Sequence, residues 1–222
     1  MTCDLFIGAR LHSSWSLRGW LMFARFGLPV RTHLLDIYGP GKTAAMAPLA
    51  PARLVPVIRT PSGTVVGDTF AIAETLAELY PEAGLWPEGP AERALARWLV
   101  AEMHSGFSAL RGECPMDLRH AYDAPPPSEA VLADLARLER LWDAAPGPGP
   151  WLFGAYSLAD VFYAPVATRI TTWNLPVSDR ARAYVAAHLS CPAFRQWRAE
   201  GLAEPTRITD YDTDLPTRPW PG

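Results

Sequence analysis

Lysine is almost missing from this chain: among its 20 basic residues only Lys42 is a lysine. Those 20 residues face 23 acidic ones, and a net charge of −3 leaves no basic face to track a nucleic-acid backbone, so nucleic acid is not an expected partner. Cysteine is equally sparse. Cys3, Cys114 and Cys191 are odd in number, far apart and form no C-x-x-C pair, so they read as reduced thiols of a cytosolic protein. The five histidines show no spacing of the H-E-x-x-H kind, and no metal is expected. No apolar run approaches the ~20 residues that span a bilayer, and the N-terminus lacks the basic and apolar regions of a secretory signal. The expectation is a soluble, cytoplasmic protein.

What is present is a globular chain of 222 residues, 49% hydrophobic and 19% charged, with core enough for one large domain or two small ones. Its organising stretch is His12-Ser13-Ser14-Trp15-Ser16-Leu17-Arg18. Before it lies an apolar run, residues 3–7, that reads as a buried strand. After it, Leu17, Trp20, Leu21 and Ala24 recur at helical spacing until Gly27 and Pro29, so a helix is expected over 14–26. Hydroxyls therefore stand where a strand hands over to a helix N-terminus, whose free N–H groups and dipole favour negative charge. A serine there can simply cap the helix. It can equally serve an anion or a thiolate.

Further strands are expected at 31–36, 54–58 and 64–66, with a loop rich in glycine and proline over 37–53 and a helix over 69–80. That order is a compact α/β unit of about 80 residues. After the linker Pro81–Pro90 the strand signals stop. Helices are expected over 91–112, 129–144, 157–172, 178–188 and 192–202, and the segment from Pro205 reads as an extended or disordered tail. The domains are placed at 1–81, 91–205 and a tail at 206–222.

In this order the motifs resemble the glutathione S-transferases, over residues 3 to about 203. Ser13-Ser14-Trp15-Ser16-Leu17-Arg18 resembles the serine motif of zeta-like bacterial members. Val55-Pro56 resembles the family's cis-proline, Asp68-Thr69 stands at its acidic-then-hydroxyl pair, and Ser157-Leu158-Ala159-Asp160 matches the folding cap of its helical domain. The resemblance implies a thioredoxin-like glutathione-binding domain followed by a helical-bundle domain, glutathione as co-substrate, and a homodimer joined through the third and fourth helices.

It also implies roles. Ser13, with Ser14 as its close rival, would hold the glutathione thiolate. Val55 would pair its backbone with the cysteinyl part, and Pro56 would be cis. Asp68 and Thr69 would receive the γ-glutamyl end, although Asp is shorter than the usual Glu or Gln. Lys42 and Arg18 are further carboxylate partners. Trp15 belongs with the glutathione-binding residues or in the core, and an aromatic ring on a helix reads first as core. Ser157 and Asp160 are assigned to folding. The electrophile would sit on the helix around 98–112, against Met103, His104, Phe107 and Arg111, with Cys114 and Trp173 nearby.

The magnitudes suffice for the serine. A free thiol titrates near ~8.5, and lowering it by about two units needs roughly 2.7 kcal/mol. A hydrogen bond to a charged group supplies about 1.5–3 kcal/mol and the helix N-terminus roughly 0.3–1 more. Three activities compete with conjugation: cis–trans isomerisation through a recycled thiolate, as in maleylacetoacetate isomerases; thiol–disulfide exchange, for which no cysteine stands in the motif; and binding without catalysis.

Overall fold

Strand β1, Cys3–Ile7, buries Cys3, Leu5 and Ile7 and half-buries Asp4 and Phe6, the alternation of a strand with one face in a core. In the computed structural model, which describes residues 2–205, 208–211 and 213–221, β1 is central in a four-stranded sheet. It runs parallel to β2, Val30–Leu34, and antiparallel to β3, Val57–Arg59. β3 pairs antiparallel with β4, Val65–Gly67, giving the order β2-β1-β3-β4.

Helix α1, Ser14–Ala24, packs on this sheet and is buried along most of its length. Gly27, at φ 64, lets the chain turn back toward β2, as only glycine does without strain. Between β2 and β3 lie a short helix α2, Lys42–Met46, and a 3-10 turn, Ala47–Leu49. Helix α3, Thr69–Leu79, completes a thioredoxin-like domain.

The second domain is helical: α4 (Pro90–Ser105), α5 (Ser108–Glu113), α6 (Glu129–Ala144), α7 (Leu158–Thr172), α8 (Asp179–Ser190) and α9 (Pro192–Ala203). The single helix expected over 91–112 is divided. The Gly106 N–H closes α4 on the Glu102 carbonyl at 2.8 Å, and Phe107 turns left-handed at φ 59. A Cβ at Gly106 would stand 2.8 Å from that carbonyl oxygen, so a glycine is required at the break.

Helix α7 runs through the centre of the molecule with every residue buried, and the Tyr163 hydroxyl donates to the Leu99 carbonyl of α4 at 3.0 Å. The expected tail is more ordered than its proline content suggests. Thr209–Tyr211 form a 3-10 turn, and β6, Thr217–Arg218, pairs antiparallel with β5, Ala121–Tyr122. Residues 206, 207, 212 and 222 of that tail lie outside the described residues.

No described helix is long and apolar enough to cross a membrane. Cys3, Cys114 and Cys191 are buried free thiols, and burial pushes the Cys114 thiol up to about 11.

Candidate active site between the domains

The turn after β1 fixes the serines. The Ser13 N–H donates to the Ala9 carbonyl at 3.0 Å, which stops the strand and presents Ser13 as N-cap of α1. Its Oγ accepts from the Ser16 N–H at 3.2 Å and donates to Ser16 Oγ at 2.8 Å. Ser16 Oγ in turn accepts from the Gly8 N–H at 3.0 Å. Ser16 is structural, as its place inside the helix implies. Tyr38 shares a cavity wall with Ser13, and burial pushes its phenol up to about 12.

Ser14 is arranged differently. Its Oγ accepts from Nη2 of Arg169, on α7, at 3.3 Å. Its own proton has no recipient among the described residues. The two serines are both nearly buried, at 8% and 9% exposure, so their difference is one of hydrogen bonding and not of access.

Both serines open onto a cavity of ≈ 1070 Å³ between the domains. On one wall Val55 leads into a cis Val55–Pro56 peptide, the isomer that the resemblance implies. Gly19 of α1 lies against this proline: a Cβ there would stand 2.8 Å from Pro56 Cβ. Val55 itself packs with Met46, Leu49 and Val57. Lys42, exposed at the start of α2, is also on the cavity wall.

At the other side Asp68 caps α3. Its Oδ1 accepts from the Phe70 and Ala71 N–H groups at 2.8 and 3.2 Å, while its backbone sits at φ 70, a strained setting for a residue other than glycine. Oδ2 meets His104 Nε2 at 3.0 Å, and Thr69 Oγ1 lies 3.5 Å from His104 Nδ1.

The placement of the remaining candidates differs from the sequence reading. Met103 and Phe107 pack in the hydrophobic core and do not line the cavity. The reason is geometric: with the helix broken at Gly106, Phe107 turns inward. His104 stands behind Asp68, Thr69 and Trp15 and supports the first domain's residues instead of facing the electrophile. Cys114 is core, and Trp173 packs on Tyr122 and donates to the Pro115 carbonyl.

Arg111 does line the cavity. Trp15 lines it too and is only half-buried, not core; the Arg18 and Arg111 guanidiniums lie 4.6 and 4.9 Å from its ring centre. Arg18 is neither solvated nor on the cavity wall: it is 1% exposed, with Nε donating to the Phe162 carbonyl at 3.1 Å.

A smaller cavity of ≈ 450 Å³ lies under the turn 146–150. Its charges are satisfied within the protein, Arg180 by Asp143 at 2.8 Å and Glu139 by the Ser178 N–H at 2.7 Å. The larger cleft is therefore the candidate site.

Two family models match this chain, the glutathione S-transferase N-terminal domain over residues 12–79 and the C-terminal domain over 128–200. The chain belongs to the glutathione S-transferase family. The first match begins at the serine turn and ends with α3, so it contains every site residue of the first domain.

Solved members of this family share its architecture. A glutathione transferase homolog from Burkholderia gl BGR1, with bound glutathione, is 24% identical, with a TM-score of 0.69 over 92% of this chain and all of that one. One from Sulfitobacter, also with glutathione, is 16% identical at a TM-score of 0.66 over 90% of this chain and 98% of that one. In sequence, the maleylacetoacetate isomerase of Dictyostelium discoideum is 31% identical over 103 residues, 46% of this chain. That match spans about half the length of the relative, 47%.

Arg169 is the site residue that the sequence reading of this chain misses. A signal for it existed: it is the one charged residue between Val161 and Thr172. Tyr38 is the other, placed in a stretch that reads only as loop.

Proposed function

We propose that this transferase binds glutathione with its sulfur at the N-terminus of α1 and uses the thiolate against a small electrophile, with Ser14 donating the hydrogen bond that holds the thiolate. The observation that carries this reading is the hydrogen-bond arrangement of the two serines. Ser13, which alignment with the family favours, spends its proton on Ser16 Oγ. Ser14 accepts from a guanidinium and keeps its proton. A hydroxyl that accepts from a cation is a stronger donor through its own O–H, because each bond polarises the next.

The rest of glutathione has matching groups. Val55 at the cis-proline offers backbone to the cysteinyl part, in the manner of an added strand. The Thr69 hydroxyl and the N-terminus of α3 suit the γ-glutamyl carboxylate, and Lys42 suits the glycyl carboxylate. Asp68 is already committed to His104 and to capping, so its free edge is what remains for the ammonium group.

In conjugation the sulfur forms a bond to the electrophilic carbon, the π pair moves away from it, and the resulting carbanion or enolate takes a proton from water. In isomerisation the same C–S bond forms, the former double bond rotates, and the bond breaks again to return the thiolate. Neither route changes the oxidation state of sulfur. The partial likeness to a maleylacetoacetate isomerase supports keeping the second route within the reading.

Calorimetric titration with glutathione near pH 7, with ultraviolet detection of bound thiolate, tests the proposal in the wild type, Ser14→Ala and Ser13→Ala. Binding with a thiolate signal that Ser14→Ala abolishes is the expected result. Binding without thiolate would leave a carrier, and no binding would end the transferase reading. We place the enzyme in the cytoplasm as a homodimer, supported by the exposed Leu79 of α3 and Trp98 of α4, and a monomer in sedimentation at micromolar concentration would overturn the dimer.

A further inference from the structure

We infer that the acceptor end of the cleft is an anion subsite, in which the guanidiniums of Arg111 and Arg169, backed by Arg18, receive an electrophile that carries a carboxylate. This rests on the transferase reading only for where the sulfur lies. The subsite itself is argued from three cations that converge on one point. Arg18 and Arg111 both lie against Trp15, and Arg169 binds Ser14, its neighbour in the chain.

None of the three forms an ion pair among the described residues. Their partners are neutral: Arg18 donates to the Phe162 carbonyl, Arg111 to the carbonyls of His104 and Gly106, and Arg169 to the Pro165 carbonyl and Ser14 Oγ. Six other arginines are ion-paired, as in Arg97 with Glu74 and Arg137 with Glu102, and the others without an ion pair among the described residues are at least partly exposed. The contrast is sharper because two of the three are buried, Arg18 at 1% and Arg169 at 5% exposure. Arg18 Nη1 and Arg169 Nε have no hydrogen-bond partner among the described residues. A buried charge without a counter-charge is costly, and a fold keeps one where a ligand supplies the missing partner.

Burial depresses the proton affinity of all three, and repulsion from neighbouring arginines adds to it at Arg18 and Arg169; for Arg169 it falls to about 10, still fully charged at neutral pH.

Glutathione does not account for them. Its two carboxylates have other seats in the reading above, at Thr69 and at Lys42. The remaining anion is the substrate's, and a guanidinium's planar fork matches a carboxylate in two parallel bonds. Arg111 and Arg169 line the cavity beside apolar Pro115 and Met116, so the ligand presents an anionic end next to an apolar body.

The probe is an unreactive pair, 3-benzoylpropionate and its methyl ester, titrated by calorimetry without glutathione. The acid is expected to bind at least tenfold more tightly than the ester, which corresponds to about 1.4 kcal/mol. Arg111→Gln is expected to remove most of that preference, and Arg111→Lys to keep part of it, with thermal unfolding checking that both variants fold. Equal binding of acid and ester by the wild type overturns the proposal, as does a preference that survives Arg111→Gln. Arg111→Gln that weakens glutathione and leaves the acid alone also overturns it, by assigning the cluster to glutathione itself. A wild type that binds the acid but no glutathione sinks the transferase reading and leaves the subsite standing.

Discussion

Two helices in this protein begin with a buried serine cap, and they are finished in opposite ways. At the start of α7, Ser157 caps the helix and Asp160 closes the capping box. Asp160 Oδ1 accepts from the Leu152 N–H at 3.1 Å and the Tyr184 hydroxyl at 2.9 Å, and Oδ2 from the Ser157 N–H at 2.8 Å and its hydroxyl at 3.2 Å. All four groups are spent on one another. At the start of α1 the cap is also made, by Ser13, but among the described residues the next hydroxyl keeps its proton and faces a cavity under an arginine whose Nε has no partner. The first arrangement is complete without a ligand. The second is incomplete, and residue type alone does not separate them.

If that contrast is right, damage to the α7 box falls on stability. Asp160→Ala orphans the Leu152 N–H, the Ser157 N–H and the Tyr184 hydroxyl in a dry site, at about 3–5 kcal/mol in all. Thermal unfolding is expected to drop by about 10 °C for a chain of this size.

The same box carries a pH signature. Burial raises the Asp160 carboxyl from 3.8 to about 6, against the pull of its four hydrogen bonds. A carboxyl whose folded pKa is raised binds its proton more tightly when folded. Its contribution is therefore full below about pH 4 and lost as pH rises through about 6. Unfolding measured from pH 4 to pH 7 is expected to show the stability of the wild type relative to Asp160→Asn falling by about 2 kcal/mol. A difference that stays flat would mean the carboxyl is ionised throughout.

Damage at α1 is expected to fall on chemistry instead. Ser14→Ala removes a hydrogen bond to a charged acceptor, about 1.5–3 kcal/mol, so the bound thiol's pKa should rise by about 1–2 units. At pH 7, kcat/KM should fall roughly 10–100-fold with any electrophile, while the unfolding temperature moves little. Arg169→Gln acts on the same thiol through Ser14 and through its charge, with an expected rise of about one unit. Ultraviolet titration of the bound thiolate reads both. A thiolate unmoved by either change would remove Arg169 and Ser14 from the reaction.

How much of this was readable in the residues follows the same division. Helical spacing fixed α1, α3 and α6 to within two residues, because the apolar residues of each recur at that spacing and each is bounded by a cap or a glycine. The break at Gly106 was not readable, since one glycine in a helical pattern can be tolerated or can end it, and only Phe107 packing inward decides. Trp15 was readable in hindsight. It precedes Leu17 by two positions, about 200° around the helix, and so points away from the face that Leu17 buries. The Val55–Pro56 cis bond came only through the resemblance, because most X–Pro bonds are trans. Arg169 needed the fold. An isolated charge in an apolar helix is usually solvated, and it becomes a buried cation over Ser14 only because α7 is surrounded on all sides.

The smallest expected effect tests the comparison most finely. Ser13→Ala deletes the α1 cap but leaves Ser14 and Arg169 in place. Loss of a capping serine costs about 1 kcal/mol, which is roughly 2–4 °C in unfolding temperature here. The thiol pKa should shift by well under the change seen for Ser14→Ala, since the Ser13 proton already goes to Ser16. The reverse pattern, thiolate lost with Ser13→Ala and kept with Ser14→Ala, would mean that glutathione binding breaks the Ser13–Ser16 hydrogen bond and turns that hydroxyl to the sulfur. That rotation carries a cost, because Ser16 Oγ would lose a donor while still accepting from the Gly8 N–H in a buried turn. Ser14 reaches the same end with nothing to break.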